Sequence, residues 1–155
     1  MKQIKDQNDF STMIAEVEIS YSHKIKPSLQ AKACSSSDVY KHVLPLWKNI
    51  DYYESFAVLL LSRANKILGL HWISTGGISG TTVDSRRIFQ AALKSCSSGI
   101  ILLHNHPSGQ LNPSDADLQL TRKIKEGGSF LDIPVLDHMI ITSEGYYSMA
   151  DEGAL

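Results

Sequence analysis

"ILLHNHPSGQLNPSDADLQL" (residues 101–120) changes character twice in one short stretch: an apolar run ends in two histidines, and a turn rich in proline and glycine leads into a polar segment. The apolar part, "GIILL" (99–103), reads as a short strand with no polar alternation, so it belongs mid-sheet with both faces covered. "SDADLQLTRKIKE" beyond the turn reads as a helix, which Gly127 and Gly128 are expected to stop. His104 and His106 stand two apart where the strand ends. Side chains at that spacing share one face of a strand, with Cα atoms about 6–7 Å apart. Two imidazoles so placed can converge on one ion. Pro107 and Gly109 turn the chain sharply, and Asp117 in the first turn of the helix can fold back to offer a carboxylate oxygen. Two nitrogens and one oxygen leave a fourth tetrahedral position for water, as in a catalytic zinc site. Zinc there would draw the water's pKa towards neutrality and polarise a substrate carbonyl. A plainer reading competes. Ser114-x-x-Asp117 resembles the serine-x-x-acid capping pattern, and an H-x-H alone is a weak signal. Cap and ligand are compatible, and spacing leaves both open.

Outward from this stretch, strands and helices interleave. "AEVEISYS" (15–22) alternates Val17, Ile19 and Tyr21 against Glu16, Glu18 and Ser20, which predicts a half-buried strand. A connector with Pro27 and a serine run follows. Ser36 or Ser37 is placed to cap a helix through "DVYKHVLPLWKNI", which Pro45 should bend or end. "ESFAVLLLS" (54–62) and "KILGLHWIS" (66–74) read as antiparallel strands around an "RAN" turn. "TGGISGTT" reads as a glycine-rich loop. It lacks a phosphate-loop lysine and the G-x-G-x-x-G spacing, so positive-φ turns explain its glycines better than a nucleotide does. Asp84 or Ser85 caps a helix through "RRIFQAALKSC", with Ile88, Ala91, Ala92 and Cys96 at helical spacing. "PVLDHMIIT" and "YYSMA" close the chain as strands around a "SEG" turn. Together these elements predict a mixed α/β sandwich with helices packed on the sheet.

The whole chain narrows the classes. Its 155 residues suit one domain with a sizeable core. The composition, 43% hydrophobic and 20% charged, is that of a soluble globular protein. A formal net charge of −1 carries no electrostatic footprint for nucleic acid. "MKQIKDQNDF" is not a signal peptide, and no apolar run approaches a membrane span of about 20 residues. The first dozen residues are polar and read as a loose tail. Cys34 and Cys96 make no disulfide framework and read as small buried or half-buried hydrophobes in a cytoplasmic protein.

"HNHPSG....PSDAD" resembles the RadC-like branch of the JAB/MPN metalloproteases. Their JAMM signature is an upstream Glu, then His-x-His, ten residues and an Asp; here ten residues, 107–116, separate His106 from Asp117. "ESFAVLLLSRANKILG", "GGISGTTVDSRRIFQAALK" and "LDHMII" also fall in the family's order, so the resemblance covers residues 35–155. It implies a JAB/MPN-type sandwich, similar to the cytidine-deaminase fold, with a mostly antiparallel mixed sheet flanked by helices. It implies a domain at 35–155, preceded by a tail, a strand and a linker at 1–34. His104, His106 and Asp117 correspond to the ligands of one Zn2+ per chain, Glu54 to the catalytic acid/base, and Ser114 to the donor for the developing oxyanion. Full-length RadC chains carry an N-terminal helix-hairpin-helix region of DNA-binding type, for which this chain has no room, so it resembles a short form. Leu61-Ser62 stands where the family usually has Leu-Asn.

Asp137-His138 matches the family's Asp-His pair. A structural role in the strand is the preferred reading, orientation of a ligand imidazole the alternative. Arg86 matches a family arginine, for which packing or a backbone contact suffices. His23, His42 and His71 have no ligand spacing, and the aromatics read as core or interface. The expected function is zinc-dependent hydrolysis of a peptide or isopeptide-type amide bond in a protein or peptide substrate. The alternatives are a DNA-repair-associated accessory protein of the RadC type, which the net charge does not support, and a metal-binding domain without turnover. A nucleoside deaminase would need H-x-E and P-C-x-x-C, and neither is present.

Overall fold

The strand that carries His104 lies at the centre of the sheet. The structure is a computed structural model and describes Ala15, residues 17–77 and residues 82–155. The elements are α1 (Ser36–Val43), β1 (Glu54–Leu61), β2 (Ile67–Gly77), α2 (Ser85–Lys94), β3 (Gly99–Asn105), α3 (Asp115–Phe130), β4 (Val135–Ile141) and β5 (Tyr146–Ser148). The five strands form one sheet in the order β2-β1-β3-β4-β5. Every pairing is antiparallel except β3 with β4, which are joined through α3 as a parallel crossover. This is the mixed, mostly antiparallel sandwich that the sequence predicts.

β3 explains the layering. All seven of its residues are buried, because helices cover both faces of the sheet. Ile101 and Leu103 pack with Val39, Val43 and Trp47 on the α1 side, and Ile100 and Leu102 pack with Ile88, Ala92 and Ile124 on the α2/α3 side. The period of two therefore decides where each polar residue at the strand end goes. His104 falls on the α3 face and Asn105 on the α1 face.

Several expectations need correction. Residues 17–22 form no strand. Val17 is 79% exposed, and this segment touches the domain through the Tyr21 hydroxyl, which donates to the Leu68 carbonyl oxygen. Alternation alone does not make a strand: the segment lies against the edge strand β2 without pairing to it. The tail expected over the first dozen residues, and residues 78–81 of the glycine loop, lie outside the described residues. β2 extends beyond the expected strand end into that loop, with Gly76 at φ +84°. The cap of α1 is Ser35, whose hydroxyl accepts from the Asp38 N–H, rather than Ser36 or Ser37. Pro45 sits in a 3₁₀ turn at Leu44–Leu46 directly after α1. α2 is capped by Asp84 and ends at Lys94, before Cys96, which adopts a left-handed φ of 53°. Cys34 and Cys96 are both exposed, not buried. No helix among the described residues is long and apolar enough to cross a membrane.

Gly127 and Gly128 do not stop α3, which runs through them to Phe130. Their reason is close packing. A Cβ on Gly127 would lie 2.9 Å from Cε2 of Phe89, and one on Gly128 would run into the Ile133 carbonyl oxygen. A side chain can yield more easily than a backbone carbonyl. Gly128→Ala is therefore expected to lower the unfolding free energy by about 1–3 kcal/mol. Gly127→Ala should cost less, because Phe89 can turn and alanine favours the helix by up to about 1 kcal/mol. Denaturant melts of the two variants beside the parent check both the sign and the order.

Candidate metal centre

The end of β3 and the start of α3 meet in one side-chain cluster. Ser114 is the N-cap of α3, and it and Asp117 form a full capping box. The Ser114 hydroxyl accepts from the Asp117 N–H at 3.2 Å, while Oδ2 of Asp117 accepts from the Ser114 N–H at 2.7 Å and from its hydroxyl at 2.6 Å. The same carboxylate reaches the histidines. Asp117 Oδ1 lies 3.2 Å from His104 Nε2, and Oδ2 lies 3.7 Å from His106 Nε2. The cap is present, and the carboxylate that completes it also belongs to a group able to hold an ion, so the two readings open in the sequence do not exclude each other.

His104, His106 and Asp117 each offer a ligand atom, and these atoms lie within 4.8 Å of one another. The chemistry of the set fits a metal ion. His106 Nδ1 is 2.7 Å from the Gln110 carbonyl oxygen, which can only accept, so Nδ1 carries the proton and the neutral ring leaves Nε2 bare. The Nε2 atoms of His104 and His106 are 2.9 Å apart. Two ring nitrogens at that distance hold a proton or a metal ion between them, and the carboxylate beside them suits a positive charge there. Burial by itself would raise the Asp117 pKa, but the neighbouring His104 and His106 imidazoles, with the Ser114 hydroxyl, outweigh it and hold the carboxyl well below the usual carboxylate range. The hydrogen bond to Asp117 raises the His106 imidazole against the lowering effect of burial, with help from the Gln110 carbonyl and the charges of Asp117 and Glu54.

Glu54, fifty residues earlier in the chain, comes to this centre through sheet pairing. Phe56 is the Cα partner of His104 across β1 and β3, and its ring stacks on the His104 ring with centroids 6.0 Å apart. Glu54 begins β1 two residues before Phe56. It lines the same cavity, of about 770 Å³, as His104, His106, Ser114 and Asp117. The Asp137-His138 pair divides. Asp137 ties β4 to the end of the chain, accepting from the Ser148 hydroxyl at 2.6 Å and the Ala150 N–H at 3.0 Å. His138, fully buried against the core residue Phe56, puts Nε2 3.0 Å from Nδ1 of His104. Burial, and after it the nearby His104, push the His138 imidazole well below its ordinary pKa. Arg86 stays outside the cavity lining, paired with Asp84 at 2.8 Å on the surface.

Asn105, between the two histidines, escaped the sequence reading. Its amide nitrogen donates to the carbonyls of Ile50 and Tyr53 at 2.6 and 2.7 Å, and its carbonyl accepts from the Ser55 N–H at 2.7 Å. It clamps the loop that leads into Glu54 from the opposite face of the sheet. The readable signal was parity: a buried amide on the face away from its histidine neighbours must find partners there. Asn105→Ala is expected to lower stability by about 1–3 kcal/mol or more, because buried backbone groups lose their partners. The metal uptake expected of the His104, His106 and Asp117 group should persist. Thermal melts and metal titration of the same variant separate the two effects.

Comparison with known proteins agrees with this geometry. A family model described as "RadC-like JAB domain" matches residues 33–154. A UPF0758 protein of Flavobacterium johnsoniae is 43% identical over 143 residues, covering 92% of this chain and 62% of that protein. UPF0758 proteins of Methanosarcina barkeri and Porphyromonas gingivalis are 41% and 40% identical over 79% and 75% of this chain, and 53% and 51% of their own lengths. The chain therefore spans between half and two thirds of each of these curated relatives.

Proposed function

Because the chain belongs to the RadC-like JAB family, we propose that it is a zinc-dependent metallohydrolase that cleaves a peptide or isopeptide-type amide bond. The observation that carries this reading is the convergence of His104, His106 and Asp117 beside a cavity that Glu54 also lines. Two imidazole nitrogens and one carboxylate oxygen, with the cavity in front of them, suit zinc with one position left open. Such an ion, when bound, supplies Lewis acidity to a substrate carbonyl and lowers the pKa of water.

The remaining work falls to side chains of this chain. Glu54 takes the proton of the attacking water and delivers it to the leaving amine, so that water and amide end as carboxylate and amine. It enters the cavity at the start of β1, on the strand whose Phe56 packs on His104. Ser114 donates to the oxygen that gains negative charge as the carbonyl is attacked. To do so its hydroxyl proton turns from Asp117 Oδ2 to the substrate, while the Ser114 N–H still holds that carboxylate. Phe56, Val83 and Leu120 form apolar wall in the same cavity, where exclusion of water strengthens each of these polar contacts.

Elemental analysis of protein purified without chelator should give about one zinc per chain in the parent and none in His104→Ala. Glu54→Gln should keep its zinc and lose amide hydrolysis by roughly 10²–10⁴-fold. A parent that stays metal-free after incubation with zinc would sink the reading. A zinc-loaded parent that hydrolyses no amide in a broad peptide and isopeptide panel would leave a metal-binding domain without turnover.

A further inference from the structure

Behind His104 a chain of hydrogen bonds runs away from the cavity. His104 Nδ1 meets His138 Nε2 at 3.0 Å, His138 Nδ1 meets the Thr121 hydroxyl at 2.6 Å, and that hydroxyl meets the Asp117 main-chain carbonyl at 2.6 Å. The direction of every proton follows from the last link. A carbonyl oxygen has no proton to give, and two oxygens that close repel unless a proton lies between them. Thr121 therefore spends its one hydroxyl proton on Asp117; its contact with Met149 Sδ, at 3.6 Å, is too long and weak to compete. The hydroxyl can then only accept from His138, so His138 Nδ1 carries the N–H. His138 is fully buried, with the Phe56 ring edge-on at 5.7 Å, and both its nitrogens are engaged. A neutral ring has one N–H, so its Nε2 accepts, and His104 Nδ1 donates to it. His104 Nε2 is left without a proton of its own, so what lies between it and His106 Nε2, 2.9 Å away, is a second proton on His106 or a metal ion.

We propose that His138 and Thr121 are positioning residues that lock His104 in the Nδ1–H tautomer, so that Nε2 is held as a ready ligand atom. The opposite direction of the relay would put a proton on His104 Nε2 and block ligation. The chain ends one helical turn beyond Asp117, at Thr121. β3, β4 and α3 thus fix both the ring and the carboxylate that face the ion through one network. Orienting partners of ligand histidines are most often carboxylates or carbonyls. Here a second imidazole takes that place and passes the constraint to a helix hydroxyl.

This inference rests on the metal reading, and its test separates the two. Long-range proton–nitrogen NMR on the metal-free full chain near neutral pH, where His106 can carry the second proton, with His104→Ala to assign the ring, reads the tautomer directly. Nδ1–H on His104 is expected in the parent. In Thr121→Val and His138→Leu the ring should populate both tautomers, and zinc affinity should fall about 10–100-fold. His138→Gln, whose side-chain carbonyl can accept from His104 Nδ1, should recover most of the loss, which a merely structural role would not predict. An Nε2–H tautomer in the parent overturns the proposal, as does parental zinc affinity in a folded Thr121→Val. A parent that takes up no zinc defeats the metal reading alone, because the tautomer still decides the relay.

Discussion

One carboxylate joins the two halves of the centre. Asp117 Oδ2 accepts from the N-cap residue Ser114, while Oδ1 faces His104. A capping interaction is worth about 0.5–2 kcal/mol, so the helix start itself holds this side chain in place whether or not an ion is present. The end of β3 is held as firmly, being buried on both faces between α1 and the α2/α3 pair. The centre therefore sits between two rigid elements, with only the short turn at 106–114 between them, and needs little ordering on binding.

The period of two in β3 distributes the work. His104 points to α3 and joins the cluster; Asn105 points to the other face and secures the approach to Glu54; His106 leaves the strand and is held by the Gln110 carbonyl. Three consecutive residues thus place two side chains of the His-His-Asp group and, between them, the clamp on the loop before Glu54. A slip of one residue in β3 would exchange the faces of His104 and Asn105, which would undo the cluster and the clamp together. The parallel neighbour β4 adds His138 on the same face as His104, since its Cα partner Leu102 belongs to the α2/α3 side.

The glycines of α3 show how local and tertiary demands can point in opposite directions. Gly127 and Gly128 look like a helix terminator in the sequence. They sit mid-helix where neighbours approach closely: the Ile133 carbonyl leaves no room for a Cβ at Gly128, and the Phe89 ring would have to shift for one at Gly127. The weaker helix propensity of glycine is outweighed by a packing distance that propensity cannot register. Residues 17–22 make the converse case: a good alternating pattern stays irregular, held to the edge strand β2 through the Tyr21 hydroxyl rather than by backbone pairing.

The order of strands and helices was legible in the sequence, because apolar runs and caps are local signals. So was the pairing of His104 with His106 and Asp117, since all three lie within one strand–turn–helix unit whose spacing already brings them together. Glu54 was legible only through the family resemblance, because the fifty residues before His104 contain no local signal that β1 pairs with β3. The clamp by Asn105 and the relay through His138 and Thr121 belong to tertiary structure alone. Each depends on which face of a strand meets which helix, and hydrogen-bond partners 17 to 55 residues apart are chosen by that packing rather than by sequence spacing.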